Sequence, residues 1–170
     1  MTLEVITISD SQSTVVLVAF DGSAEAQRAL VHAAKLFPQA LLQIVTAYEP
    51  LTHQAMRAVG APGVAMVDLH GEIAEADTNY QQAVACGQQA VAVAAELGVE
   101  CGAHVVESPQ STWSAIVDAA HALQADVIVT GTRLSSGGLK GLLSSSTSEN
   151  VLHNAGMPVL IVPPADHSPR

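Results

Sequence analysis

The sequence predicts an α/β fold: an open, five-stranded, parallel, doubly wound sheet with helices on both faces. Two observations predict it. Residues 15–20 read VVLVAF, an apolar and β-branched run with no polar face, as in a strand that is buried on both sides. Short apolar runs and segments of helical periodicity then alternate strictly along the chain. Strict alternation implies parallel strands joined by right-handed crossovers, which place helices on both faces of the sheet.

Five short runs are predicted to be strands. The first is followed by Asp-Gly-Ser at residues 21–23, a turn that begins a helix. The second reads LLQIVTAY and ends before Pro50. The third is short, and the fourth, DVIVT, runs into a loop rich in glycine and serine. The fifth ends before Pro163. Because it is the last strand in the chain, we expect it at an edge of the sheet. The predicted strands are residues 15–20, 41–48, 103–106, 126–130 and 159–162.

Four helices are predicted between these strands. The first has its apolar residues on one stripe and stops at Pro38. The second spans about residues 67–97 and ends at Gly98, because glycine readily adopts the left-handed conformation that closes a helix. The third begins after Ser111, and the fourth spans residues 147–154.

The length of the chain favours one domain. Its 170 residues can bury a core without disulfides or metals. We expect an N-terminal extension at residues 1–14, a domain at residues 15–163 and a C-terminal tail at residues 164–170. The apolar side chains of the extension fit an edge strand and loose packing equally well.

Charge and hydropathy narrow the classes of partner. Sixteen acidic side chains stand against six basic ones, for a net charge of −10. A nucleic-acid backbone requires a basic face, and an anionic membrane surface attracts basic segments, so neither partner is expected. The longest apolar runs are far shorter than the roughly 20 residues of a membrane span, so no membrane insertion is expected.

The cysteines and the first residues favour the cytoplasm. Cys86 and Cys101 form no CxxC pair and lack metal-ligand spacing, as expected for free thiols in a reducing compartment. Residues 1–10 have no basic start and contain two acids, unlike a secretory signal.

A ligand crevice is predicted between the first and fourth strands, where the strand order of a doubly wound sheet reverses. One lip is the turn at residues 20–23. The other is residues 130–146, which contain four glycines, several serines and Arg133 before a helix starts at Ser146-Thr147. Helix N-termini, hydroxyls and glycine backbone bind phosphates. The same composition also fits a plain surface loop, in which Ser146 and Glu149 form a capping box.

Longer motifs resemble the universal stress protein family from Val15 to Pro163. The segments that carry the resemblance are VVLVAFDGSAEAQRAL, TAYEP, ADVIVTGTR and LKGLLSSSTSENVLHNAGMPVLIVP. The resemblance implies the adenine nucleotide alpha hydrolase-like, or universal stress protein, fold. It also implies homodimers that pair through the last strand.

The resemblance further implies an adenine nucleotide, ATP or AMP, with Mg²⁺ only alongside ATP. Nucleotide-binding members carry Gly, two residues, Gly, nine residues, then Gly and Ser or Thr. Gly131 matches the first glycine and Ser146 the hydroxyl residue, whereas Leu134 and Ser145 replace the other two glycines, with ten residues between them. The implied site residues are Ala19 and Phe20 at the base, Asp21 at the nucleoside or a metal, Ala47 at the adenine edge, Thr130 and Gly131 at the ribose and phosphates, and Arg133, Ser145, Ser146 and Thr147 in the phosphate loop.

Several alternatives stay open at this point. Asp21 or Ser23 can cap the first helix, and a cap at Asp21 is compatible with a ligand contact there. The two replaced glycines motivate a protein that binds other proteins through the same fold and holds no nucleotide. A slow Mg²⁺-dependent ATPase or autokinase that modifies Ser144, Ser145 or Ser146 is a third hypothesis. No catalytic or metal-ligating set is predicted, because the acids are scattered and no histidine pair has metal-ligand spacing.

Overall fold

The computed structural model describes residues 13–51, 78–132 and 146–165. These residues form the strands β1 (Val15–Ala19), β2 (Leu41–Tyr48), β3 (Cys101–Glu107), β4 (Val127–Gly131) and β5 (Val159–Val162). They also form the helices α1 (Ala24–Leu36), α2 (Thr78–Glu96), α3 (Thr112–Ala122) and α4 (Thr147–Asn154). Residues 67–77, which were predicted to begin the second helix, lie outside the described residues.

The strands form one parallel sheet in the order β3-β2-β1-β4-β5. This order confirms the predicted α/β fold and places β1 at the centre and β5 at an edge. The chain moves outward from β1 through β2 to β3 and then returns to β4 on the other side of β1. The strand order therefore reverses between β1 and β4, as the sequence predicted.

Two apolar layers cover the two faces of the sheet. Val16 and Val18 of β1 are fully buried against α1 and α2, together with Leu30 of α1. Leu17 is fully buried on the opposite face with Ile116 of α3 and with residues of α4. Because successive strand residues point to opposite faces, the continuous apolar run in β1 fills both layers.

β3 is longer than the predicted strand at residues 103–106, because it pairs with β2 over seven successive residues. The predicted strand was too short because Gly102, near its start, is a residue type that is uncommon in strands. In the sheet it lies beside Gln43, whose Oε1 is 2.6 Å from His104 Nε2. A Cβ at residue 102 would collide with that oxygen, so the glycine leaves room for a polar pair between neighbouring strands.

The C-terminal end of α2 confirms the role predicted for Gly98. Its φ is +72°, and the amide of Val99 donates to the carbonyl of Ala94 at 3.0 Å. None of the helices in the described ranges has the length and hydropathy that a membrane span requires.

Candidate functional site

A cleft that is open to solvent lies at the carboxyl ends of β1 and β4. The position is the reversal point of the strand order, where doubly wound sheets leave a crevice between diverging crossovers. The carboxyl end of β2 borders the cleft on the other side of β1.

Most of the residues predicted for the site line this cleft. They are Ala19, Phe20, Asp21, Ala47, Thr130, Gly131 and Thr147. Ser146 precedes Thr147 in the chain and caps α4. Arg133 and Ser145 lie outside the described residues, as do Leu134 and Ser144.

The cleft also contains residues that were not among the predicted ligand contacts. These are Ser23, Glu25 and Ala26 at the start of α1, Val45 on β2, and Thr112 and Ile116 on α3. Ser23 belongs to the predicted lip at residues 20–23. Val45 stands two residues before Ala47 and so shares its face of β2. Thr112 begins the helix after β3, and because every such helix starts at the carboxyl edge of the sheet, its place follows from the topology.

The turn after β1 settles which residue caps α1. Ser23 is the cap: its φ and ψ are −68° and 160°, and its Oγ accepts from the amide of Ala26 at 3.2 Å. Asp21 instead accepts from the amide of Ser23 at 3.0 Å through Oδ1. The alternative interpretation of Asp21 as the cap was therefore wrong. Gly22 has a φ of +78°, which turns the chain from β1 into the helix.

Gly131 lies at a close approach of the start of α1 to the end of β4. A Cβ at this position would stand 2.5 Å from both the carbonyl carbon and the carbonyl oxygen of Glu25. These are backbone atoms, which cannot swing aside as a flexible side chain can. The glycine therefore has a structural function in the fold, besides the phosphate contact that the resemblance implies.

The start of α4 confirms half of the predicted capping box. The Oγ of Ser146 accepts from the amide of Glu149 at 3.3 Å and lies 3.1 Å from the Oγ of Ser148. The reciprocal bond from the carboxylate is missing. Glu149 Oε1 lies 3.9 Å from His153 Nε2, and Glu149 Oε2 is buried without a hydrogen-bond partner.

Replacing Ser146 with alanine removes the acceptor at the N-terminus of α4. We expect a loss of about 1 kcal/mol in the free energy of unfolding, the usual cost of losing such a cap. Urea denaturation measures it. Ser146→Asp keeps an acceptor oxygen and serves as the matched control, which should stay close to the wild type. Equal stability of the alanine variant and the wild type would contradict the role of this cap.

The N-terminal turns of three helices, α1, α3 and α4, contribute residues to the cleft or its rim. Each turn has backbone amides without intrahelical partners and a partial positive charge. The described side chains in the cleft add hydroxyls at Ser23, Thr112, Thr130 and Thr147, and carboxylates at Asp21 and Glu25. Amides and hydroxyls of this kind can bind an anion in a chain whose net charge is −10.

Within the three described ranges, no group of three or more histidine, cysteine, aspartate or glutamate residues could hold a metal ion.

The fold and the cleft together define a parallel α/β protein with a candidate anion site at its reversal point. The chain belongs to the universal stress protein family, whose model matches residues 13–163. No curated protein sequence matches the chain.

Solved structures of the family share this architecture. A family member from Burkholderia pseudomallei is 25% identical with a TM-score of 0.65, and the match covers 91% of this chain and 99% of that one. A universal stress protein solved in complex with cAMP is 24% identical with a TM-score of 0.62, over 88% of this chain and 96% of that one. A member from Arabidopsis thaliana with AMP bound is 17% identical with a TM-score of 0.59, and the match covers 92% of this chain and 95% of that one.

Proposed function

We propose that this universal stress protein binds an adenine nucleotide, ATP or AMP, in the cleft and acts as a regulatory dimer in a stress response. The observation that carries the proposal is the chemical difference between the two sides of the cleft. On the β2 side the lining is apolar, with Val45, Ala47 and Ile116. On the β4 side it is polar, with Thr130, Gly131 and Thr147.

The β2 side suits the base. Adenine is flat and largely apolar on its faces, and small or branched side chains leave space for such a ring. Ala47 is half-buried and has a smaller side chain than Val45 and Ile116, the other residues of this wall. The family resemblance assigns the backbone at Ala47 to the adenine edge, which agrees with its position in the cleft.

The β4 side suits the phosphate. The N-terminus of α4 begins here, with Ser146 as its cap and Thr147 in the lining. Gly131 exposes backbone at the end of β4. Arg133 and Ser145 remain predicted contacts beyond the described residues. The solved relatives named above hold cAMP and AMP, which favours a ligand with one phosphate.

Mg²⁺ would enter only with ATP. Mg²⁺ prefers oxygen ligands and is usually held by one or two carboxylates together with substrate phosphates. Asp21 is the exposed carboxylate of the cleft on the turn after β1 and would supply such a ligand. AMP binding requires no metal in this proposal.

Isothermal titration calorimetry of the full chain with AMP, and separately with Mg²⁺ and ATP, tests the proposed function. We expect saturation with a Kd below about 100 μM, which corresponds to about −5.5 kcal/mol. Titrations without heat for both nucleotides would reject the proposal and favour the alternative in which the protein binds other proteins only.

The edge strand β5 supports the proposed homodimer. The carbonyls of Pro158 and Val162 accept at 3.0 Å from the amides of Ile128 in β4 and of Thr132 directly after it, so both carbonyls point toward β4. By alternation, the amides and carbonyls of Val159 and Ile161 point away from the sheet. An apolar edge of this kind is usually covered, and pairing with a second copy across a two-fold axis would cover it.

Replacing Ile161 with proline removes one outward amide and leaves the bonds to β4 in place. Proline is tolerated on an edge strand, so we expect a folded monomer where the wild type is a dimer. Sedimentation velocity at micromolar concentration measures this. Ile161→Val keeps the amide and should remain dimeric. A monomeric wild type, or a dimeric proline variant, would contradict pairing through β5.

We also place the protein in the cytoplasm. Cys86 and Cys101 are free thiols, which are typical of a reducing compartment. Cell fractionation tests this location, and recovery from an oxidising compartment would contradict it.

A further inference from the structure

The turn after β1 has a second contact surface, on the side of α2. Cys86 of α2 is half-buried, and its Sγ lies 3.9 Å from the carbonyl oxygen of Phe20. A Cβ on Gly22 would come within 3.4 Å of the same sulfur. The thiol therefore packs directly against the backbone between Phe20 and Gly22. The residue between them, Asp21, lines the cleft.

A buried hydroxyl from β2 approaches the same thiol. Thr46 is 4% exposed and lies on the same face of the sheet as Ile44, toward α1 and α2. Its Oγ1 is buried without a hydrogen-bond partner, and the hydroxyl lowers the pKa of Cys86. The acceptor that faces the thiol hydrogen is therefore the carbonyl of Phe20.

The electrostatics keep this thiol protonated. Burial raises the pKa of Cys86, the Thr46 hydroxyl opposes that rise, and the negative charge of Asp21 adds to it. A neutral S–H can donate to the carbonyl of Phe20, whereas a thiolate cannot.

We propose that Cys86 is a positioning residue for the nucleotide cleft: its thiol holds the carboxyl end of β1 against α2 and fixes the turn that carries Asp21. This inference rests on the proposed function. Because Phe20 and Asp21 both line the cleft, a ligand that orders them also restrains the backbone against which the sulfur lies. Linkage requires the reverse, so the state of Cys86 alters the affinity for nucleotide.

Cys101 provides an internal control. It is the other of the two cysteines in the chain, it is also half-buried, and burial raises its pKa as well. It begins β3 at the amino end of the sheet and pairs with Leu42, three residue steps of about 3.3 Å before the level of Val45 in the cleft. The two thiols thus have similar burial and differ in their distance from the cleft.

The first test is alkylation of the full-length wild type with N-ethylmaleimide, followed by mass spectrometry of each cysteine. We expect saturating AMP to slow the modification of Cys86 by about threefold and to leave the rate at Cys101 unchanged. Equal effects of AMP on both thiols, or no effect on either, would overturn the inference. This test needs no variant and stands even if substitutions at position 86 prevent folding.

The second test is calorimetry of two variants with AMP. We expect Cys86→Ala to raise the Kd about fivefold and Cys101→Ala to leave it unchanged. A role in stability alone would lower the Tm of Cys86→Ala without changing its Kd, and that result would overturn the inference. If the wild type binds AMP and Cys86→Ala binds it with the same Kd, only the inference is refuted. If the wild type binds neither AMP nor ATP, the proposed function and the inference are both refuted.

Discussion

Replacing Gly131 with alanine is expected to destabilise the protein by about 3 kcal/mol, the upper part of the usual range for overpacking. The added methyl would lie 2.5 Å from the carbonyl carbon and oxygen of Glu25, so helix α1 would have to move away from β4. Both elements line the cleft, and we therefore also expect AMP binding to be lost. Urea denaturation and calorimetry measure the two effects.

Gly87→Ala is the matched control for this substitution. Gly87 lies within α2, and a Cβ there would meet only the Cβ of Ala103, at 3.9 Å. Alanine is favoured over glycine in a helix by up to about 1 kcal/mol, so this variant should be as stable as the wild type or more so. If Gly131→Ala behaved like Gly87→Ala, the close approach between α1 and β4 would not be a constraint.

Replacing Ala47 with phenylalanine is expected to abolish nucleotide binding while the fold survives. The side chain of Ala47 is half-buried on the open wall of the cleft, so a larger ring can extend into the space proposed for adenine. We expect the Kd for AMP to rise by more than about 30-fold, which corresponds to about 2 kcal/mol. Calorimetry measures the Kd, and thermal denaturation checks that the variant is folded.

Ala47→Ser is the companion control, because it changes the volume of the side chain little. It should bind AMP nearly as well as the wild type. A phenylalanine variant that keeps the wild-type Kd would place the base elsewhere and would remove the β2 side of the cleft from the proposed site.

The sequence predicted the sheet and the position of the cleft because the apolar run in β1 is compatible with few sheet topologies. A run buried on both faces, followed by strict alternation, fixes parallel strands and a reversal of strand order beside β1. β3 was predicted too short because its start contains Gly102, which sequence patterns do not favour in a strand. The glycine is explained by the contact between Gln43 and His104 on neighbouring strands, which the local sequence does not reveal.

The site was predicted where strand ends and helix caps determine it. Ala19, Phe20, Thr130 and Gly131 stand at the ends of the two central strands, so their meeting follows from topology. Glu25 enters the cleft through the packing of α1 on the sheet, which the sequence pattern does not specify. The contact of Cys86 with the turn after β1 joins residues 66 positions apart, and nothing in the spacing of the two cysteines pointed to it.

The central claim is that the cleft between β1 and β4 holds an adenine nucleotide. A crystal structure of the protein soaked with saturating AMP tests it most directly. We predict electron density for the base beside Ala47 and for the phosphate at Ser146 and Thr147, where α4 begins. A cleft that stays empty under these conditions would contradict the account.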